Sequence, residues 1–505
     1  MIPYKTIIEL DRKNRLPLYI QLANQFIVLI KNQTIAASAK LPGTRTLAAV
    51  LDIHRKTVIA CYDELIIQGW IESIPKKGTF VIPNLPILDK HDFSCTKAEV
   101  RSICAGFSFE NTSILNGNFK NKKEGYVHFN DGVSDTRFAP VDEISSIYRR
   151  LIKKKRNQKY LTYGNTHGNP ELRSALVDYL NDTRGLYISE ENILITRGSQ
   201  MGIYLASQLL LKQGNFIIVG ETNYISADIS FKHAGATLLR VAVDEHGLDT
   251  KEIEKLCKTK SIKAVYVTPH HHHPTTVTLC AERRLHLLNL AQKYNFAILE
   301  DDYDYDFHFN HAPILPLSSH DTNGNVIYIG SVCKTVAPVF RVGYLIASKD
   351  FVDACAAYRR NVDCQGDSIL ELTFSHFIRT GGLDRHINKL LKIYRTRRDL
   401  FCTLLEKELS EYFSFETPKG GLAIWLVLNK KYDWELVAKE ALKYKLDVGN
   451  WKKYCNDSNN HNALRIGFAT YNEEEIIELV GKLKTTMTSL KPTLNNSLRI
   501  ESMKI

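Results

Sequence analysis

The most constraining stretch of the chain is residues 326–345, V-I-Y-I-G-S-V-C-K-T-V-A-P-V-F-R-V-G-Y-L. A β-branched and aromatic run at 326–329 reads as a buried strand. It breaks at Gly330 and delivers a single lysine, Lys334, into apolar surroundings. Burial there favours the neutral amine, the form that attacks an aldehyde. Ser331 and Arg341 bracket the lysine with a hydroxyl and a guanidinium, a pair suited to a phosphate. Upstream, residues 296–299 (F-A-I-L) form a second short apolar run that ends in Glu300, Asp301 and Asp302, with Tyr303 beyond. A carboxylate at such a strand end can hold a pyridine nitrogen protonated, and a phenol can bond a ring oxygen. Taken alone, E-D-D-Y-D-Y-D also reads as a solvated acidic turn.

In this order the two segments resemble the pyridoxal-phosphate site of fold-type I aminotransferases (aminotransferase class I/II), over about residues 127–470. The resemblance implies Lys334 as the catalytic Schiff-base lysine, Asp301 at the pyridine nitrogen and Tyr303 at the 3-oxygen. It implies that His271, in T-P-H-H-H-H-P-T-T, stands near the same oxygen, and that Tyr224, in E-T-N-Y, stacks on the ring. Gly198, Ser199 and Gln200 open a helix whose free amides and dipole suit a phosphate, and they look like the family's phosphate cup. Tyr163, in Y-G-N-T-H-G-N-P, is similar to a tyrosine that reaches the neighbouring subunit's phosphate, which implies a homodimer. Arg465, in L-R-I-G-F, matches the arginine that pairs with a substrate or effector carboxylate. Thr276 and Cys333 depart from the family's glycine and serine. Neighbouring histidines in one strand or loop point apart and no second ligand cluster is evident, so no metal is expected.

The first 82 residues carry eleven Lys and Arg against six Asp and Glu, within a chain of net charge +11. That excess permits a polyanionic partner. Residues 16–31 have helical spacing, with Pro17 suited to a first turn. Two further helical patterns, about 44–51 and 55–67, flank a break at 52–54 and read as helix-turn-helix. Residues 70–81 suggest a small β-wing with a basic tip. This head resembles the GntR-type winged helix through Pro17, Gln21, Arg45, Leu51, Arg55, Tyr62, Gly69 and Gly78. The resemblance implies that Thr44, Arg45, Arg55, Lys56, Thr57 and Gly78 face double-stranded DNA, hydroxyls and guanidiniums meeting phosphates and base edges. Gly43 and Thr44 replace the usual serines, and Asp52 and His54 replace a glycine and a serine.

The expected fold is therefore α/β. An N-terminal winged helix-turn-helix (1–82) and a linker (83–125) precede an aminotransferase-like body (126–490) with a large mixed-sheet domain and a small C-terminal α/β domain (about 385–490). The run 153–156 reads as a solvated basic face. The plan resembles the MocR-type regulators, including the GabR and PdxR groups. It implies a pyridoxal-phosphate-dependent transcription regulator responding to an amino compound or to the cofactor, with a catalytically active aminotransferase as the alternative. The N-terminus lacks a signal-peptide core, no apolar run reaches the roughly 18 residues of a membrane span, and ten cysteines lie scattered without C-x-x-C. A cytoplasmic protein is expected.

Overall fold

The computed structural model describes residues 2–84, 105, 107–109, 123–309, 314–455 and 461–491. It divides into two units, Met1–Asn111 and Thr112–Ile505. Most of the linker expected at 83–125 lies outside the described residues.

In the first unit, the helices Leu18–Lys31, Thr44–Leu51 and Arg55–Ile67 are followed by the antiparallel pair Ile71–Ile74 and Gly78–Val81. Val58, Cys61, Tyr62 and Leu65 recur at helical spacing and pack on Leu22, Phe26 and Leu47. The Tyr62 ring meets Phe26 edge-on at 6.0 Å, and its hydroxyl donates to Pro42 O at 2.8 Å. The two departures in the turn have visible roles. Asp52 ends its helix in the left-handed region (φ 50, ψ 50), and His54 Nδ1 accepts from Lys56 N at 3.1 Å as an N-cap.

The second unit is built on a seven-stranded sheet. Its order is Ile193–Thr196, Gly343–Ile346, Val326–Ser331, Ala297–Asp302, Ile262–Val267, Phe216–Gly220, Thr237–Val241. Only Gly343–Ile346 pairs antiparallel to its neighbours. These strands are apolar on both faces, because helices cover both. Ile203, Phe231 and Cys355 pack on Ile217, Tyr266 and Leu299 on one side, while Ile253 and Leu287 pack on Ile218 and Ile298 on the other. A small lobe carries the long helix Gly382–Leu409 and the antiparallel sheet Phe413–Ser414, Ala423–Leu428, Ala463–Gly467. The segment Val127–His128 pairs with Leu446–Asp447 of that lobe.

One expectation needs correcting. The strand at 297 does not stop at the acidic run but continues through Asp302, and Glu300, Asp301 and Asp302 are at most 5% exposed. Burial is tolerated because each carboxylate finds donors. Glu300 accepts from the amides of Leu317 and Ser318, Asp301 from Tyr266, and Asp302 from Tyr328 with His270 beside it. A solvated turn is excluded.

Candidate functional site

Parallel strands deliver their C-terminal ends to one edge of a sheet, the usual place for a ligand crevice in α/β folds. Here Ala297–Asp302 ends in Asp301 and Asp302, and its neighbour Val326–Ser331 ends three residues before Lys334. Lys334 Nζ donates to Gly132 O at 2.7 Å. Burial lowers the Lys334 pKa, the Arg465 charge acts in the same sense, and Asp131 opposes both. The amine is thus biased toward its nucleophilic form.

Asp301 is shifted the other way, its carboxyl pushed up to about 7 chiefly by burial. Its Oδ2 accepts from Tyr266 OH at 2.8 Å, while Oδ1 has no hydrogen-bond partner among the described residues. A buried, unpartnered carboxyl oxygen is the acceptor that a protonated pyridine nitrogen requires. Tyr303 OH donates to His271 O at 2.9 Å and receives Arg465 Nη2 at 3.2 Å. Arg465 is 2% exposed and also donates to Pro274 O (3.1 Å) and Asp131 O (3.3 Å). Tyr224, at the start of the helix Ile225–His233, sets its ring 5.2 Å from that of His273.

The phosphate side is assembled from three segments. Gly198 caps the helix Ser199–Leu210 with φ 77 and ψ 171, and a Cβ there would fall 2.8 Å from Arg341 Nη2. Gly343 presses on Gly198 and lies opposite Ser331 in the strand pairing. Arg341 Nη2 donates to Arg197 O at 2.7 Å, and Ser331 Oγ to Val342 O at 3.2 Å. Gly198, Ser199, Ser331 and Arg341 therefore share one cradle.

One expected site side chain turns elsewhere. The His271 ring does not turn toward Tyr224 and Tyr303. Its Nδ1 lies 2.9 Å from Asp304 Oδ1, and the ring packs against Gly420 and Gly421. The histidine ring that stands between Tyr224 and Tyr303 is His273, its Nε2 3.3 Å from Asp131 Oδ2. Gln200 lies in the first turn of Ser199–Leu210 as expected, its side-chain amide donating to Ser226 O and Ser230 Oγ of the next helix. Tyr163 is 90% exposed in the single chain. Asp131, Tyr266, His273, Lys453 and Tyr454 were not singled out from sequence. Only Tyr266 had a visible signal, since a hydroxyl in a buried strand must find a partner.

In the first unit, Arg45, Arg55 and Lys56 are exposed and form no ion pair among the described residues. Arg55 Nε donates to Thr44 Oγ1 at 3.3 Å, tying the starts of the two helices together. Thr57 sits in the first turn of the second helix, and Gly78 opens the wing strand with φ 119.

The model for aminotransferase class I and II matches residues 132–492, and that for bacterial regulatory proteins of the gntR family matches residues 18–81. The probable rhizopine catabolism regulatory protein MocR of Rhizobium meliloti is 23% identical over 95% of this chain and 96% of its own. The uncharacterised HTH-type transcriptional regulator YisV of Bacillus subtilis is 26% identical over 91% and 93%. Among solved structures, the Pyrococcus horikoshii kynurenine aminotransferase in complex with PMP superposes with a TM-score of 0.68 at 27% identity, covering 72% of this chain and 92% of that one. Lys334, the open Asp301 oxygen and the Gly198 cradle fit pyridoxal phosphate, the cofactor of this fold. The chain belongs to the aminotransferase class I and II family and carries a gntR-family winged helix-turn-helix domain ahead of that body, the plan of the MocR-type regulators.

Proposed function

We propose that this chain is a pyridoxal-phosphate-dependent transcription regulator. Residues 1–82 grip duplex DNA, 126–490 sense an amino compound or the cofactor itself, and 83–125 tether the two. The observation that carries the reading is a lysine of lowered pKa beside a buried carboxyl with one open oxygen, in a chain that also bears a DNA-binding head.

Bound pyridoxal phosphate supplies an aldehyde and an electron-withdrawing ring. Lys334 would hold the cofactor through its aldehyde carbon and carry protons at the reacting carbon. Asp301 would hold the ring nitrogen protonated, Tyr303 would bond the 3-oxygen, and Tyr224 would cover the ring. The amides of Gly198 and Ser199, with Ser331 and Arg341, would hold the phosphate. Arg465 would line the effector's side of the pocket, where the resemblance places a carboxylate partner. In a homodimer, Tyr163 would reach the partner subunit's phosphate, so effector binding changes how two heads present themselves to an operator. Thr44, Arg45, Arg55, Lys56, Thr57 and Gly78 would form the DNA face. A DNA-bound role implies the cytoplasm, and no helix among the described residues is long and apolar enough to cross a membrane.

The test is DNA capture from genomic fragments with the purified chain, with and without added pyridoxal phosphate. Enrichment of discrete sites whose occupancy changes with the cofactor or an amine supports the reading. Absence of any site-selective binding overturns it. The chain retains the full set Lys334, Asp301, Tyr303 and Arg465, which favours a second reading as a working aminotransferase. Sustained keto-acid production from an amino donor without DNA binding would establish that one instead.

A further inference from the structure

Residues 130–132 make a tight bend beside Lys334. Asn130 Oδ1 accepts from the amides of Gly132 (3.0 Å) and Val133 (3.1 Å), and Gly467 N donates to Asn130 O at 2.8 Å. Gly132 adopts φ 80, and a Cβ on it would sit 3.4 Å from Arg465 Nη2. The bend thereby presses Asp131 onto Arg465. The Asp131 carbonyl accepts from Arg465 Nε at 3.3 Å, and its Oδ1 stands 3.6 Å from the same nitrogen.

The rest of the Asp131 carboxylate is engaged as well. Tyr454 OH donates to Oδ1 at 2.6 Å, Lys453 Nζ lies 3.0 Å from Oδ2, and His273 Nε2 lies 3.3 Å from Oδ2. Of the roughly four acceptor sites of a carboxylate, Tyr454, Lys453 and His273 thus take three, and the Arg465 charge stands beside the fourth. Arg465, for its part, has a protein acceptor on each of its three nitrogens: Asp131 O, Pro274 O and Tyr303 Oη. The guanidinium available to a ligand's anionic end already has an anion of its own beside it.

We propose that Asp131 is a specificity-determining residue that disfavours ligand carboxylates at Arg465, so that the pocket prefers primary amines without a carboxylate to the matching amino acids. The inference deepens the proposed function and rests on Lys334 and Arg465 lining one effector pocket. A ligand carboxylate meets two alternatives. It shares Arg465 with Asp131 and is repelled by a like charge, or it turns Asp131 outward and breaks the contacts to Tyr454, Lys453 and His273. Because the backbone of Asp131 is pinned by Arg465 and the Asn130 turn, no shift of the whole segment relieves the conflict. A carboxylate-free amine incurs neither cost. Exclusion by a placed like charge is a standard route to selectivity.

Two measurements test this. In the first, the cofactor-loaded chain is titrated with decarboxylated pairs, such as isobutylamine with valine and tyramine with tyrosine, and the change in cofactor absorbance gives an affinity for each. The wild type should bind the amine of each pair more tightly, and Asp131→Asn should shift the amine-to-amino-acid ratio by about tenfold toward the amino acid, the size of one lost charge repulsion. Asp131→Ala should shift it in the same direction. A wild type that prefers the amino acids, or a ratio unmoved in both variants, overturns the proposal.

The second measurement needs no cofactor. The Trp425 ring lies 5.4 Å from that of Tyr454 and so reports on the Asp131 cluster. Titration of cofactor-free protein with propionate should change tryptophan fluorescence at lower concentration in Asp131→Asn than in the wild type. Equal responses count against the role given to Asp131. A chain that takes up no pyridoxal phosphate defeats the proposed function, while the propionate titration still decides the inference.

Discussion

Tyr266 and Asp301 form a buried hydrogen bond of 2.8 Å that occupies one carboxyl oxygen and leaves the other without a partner among the described residues. Burial keeps the Asp301 carboxyl protonated up to about 7, against an ordinary value of 3.8. Between those pH values the unfolded chain has lost the proton and the folded chain retains it. Stability therefore falls as pH rises from about 4 to about 7 on account of this group, by up to about 4 kcal/mol. Asp301→Asn removes that part of the slope. From pH 5 to pH 7, denaturant melts of cofactor-free protein should show the variant gaining stability relative to the wild type. Glu300, also raised to about 7, acts in the same sense in both proteins, whereas His272 and His308, held down to about 3 by burial, act in the opposite sense in both. Added pyridoxal phosphate should flatten the wild-type slope, because the ring nitrogen stabilises the charged carboxylate.

Lys334 Nζ is held by Gly132 O, a neutral acceptor that competes weakly for an amine. The wild type should turn yellow with pyridoxal phosphate, and borohydride should fix one cofactor on Lys334. Lys334→Ala should remain colourless, with no adduct on the peptide that carries residue 334. Binding of an operator fragment to the head should persist in this variant, since the two units fold around separate cores. Loss of colour and of DNA binding together would point to misfolding, which a melting curve detects.

The pattern of side chains made some of this architecture legible and hid the rest. Helices Thr44–Leu51 and Arg55–Ile67 begin and end where apolar spacing and the break at 52–54 put them, because Val58, Cys61, Tyr62 and Leu65 mark one buried face. The strand through Asp302 could not be seen in the same way. Its carboxylates are satisfied by Tyr266, His270, Leu317 and Tyr328, groups brought there only by the folded chain. Nor could sequence say which of four consecutive histidines enters the site. His270 turns to Asp302, His271 to Asp304, His272 to Thr275 and His273 to Asp131, each toward a different wall. Asp131 was invisible for a related reason. A single acid before a glycine reads as a turn until Arg465, Lys453 and Tyr454 are placed around it.

Gly198 combines φ 77 with ψ 171, a region that side chains other than hydrogen essentially never occupy. A Cβ would also fall 2.9 Å from the Arg341 guanidinium carbon. Gly198→Ala should therefore cost on the order of 1–3 kcal/mol of stability and push Arg341 out of the cradle. Pyridoxal, which lacks the phosphate, serves as the control. The variant should lose affinity for pyridoxal phosphate and change little toward pyridoxal, as read by absorbance titration. Equal losses for both would remove the phosphate-binding role from this turn.

Arg55 projects from the first turn of the helix Arg55–Ile67, with Nε bonded to Thr44 Oγ1 and the guanidinium exposed. Two outcomes separate its possible uses on DNA. A phosphate contact releases a condensed counterion, so Arg55→Ala should reduce the slope of log K against log salt by about 0.9 for each bound head. A base contact leaves that slope nearly intact and instead costs about 1–3 kcal/mol on the preferred site with little effect on random duplex. The Thr44 bond holds the Nε side of the fork near the helix N-terminus, where amides already attract phosphate. The expected result is the reduced salt slope, with affinity for specific and random duplex falling together. Thr44→Val removes the bond from Arg55 Nε while keeping the side-chain shape, and should reproduce part of the loss. An Arg55→Ala variant that keeps full affinity and slope would take this helix start out of the DNA face.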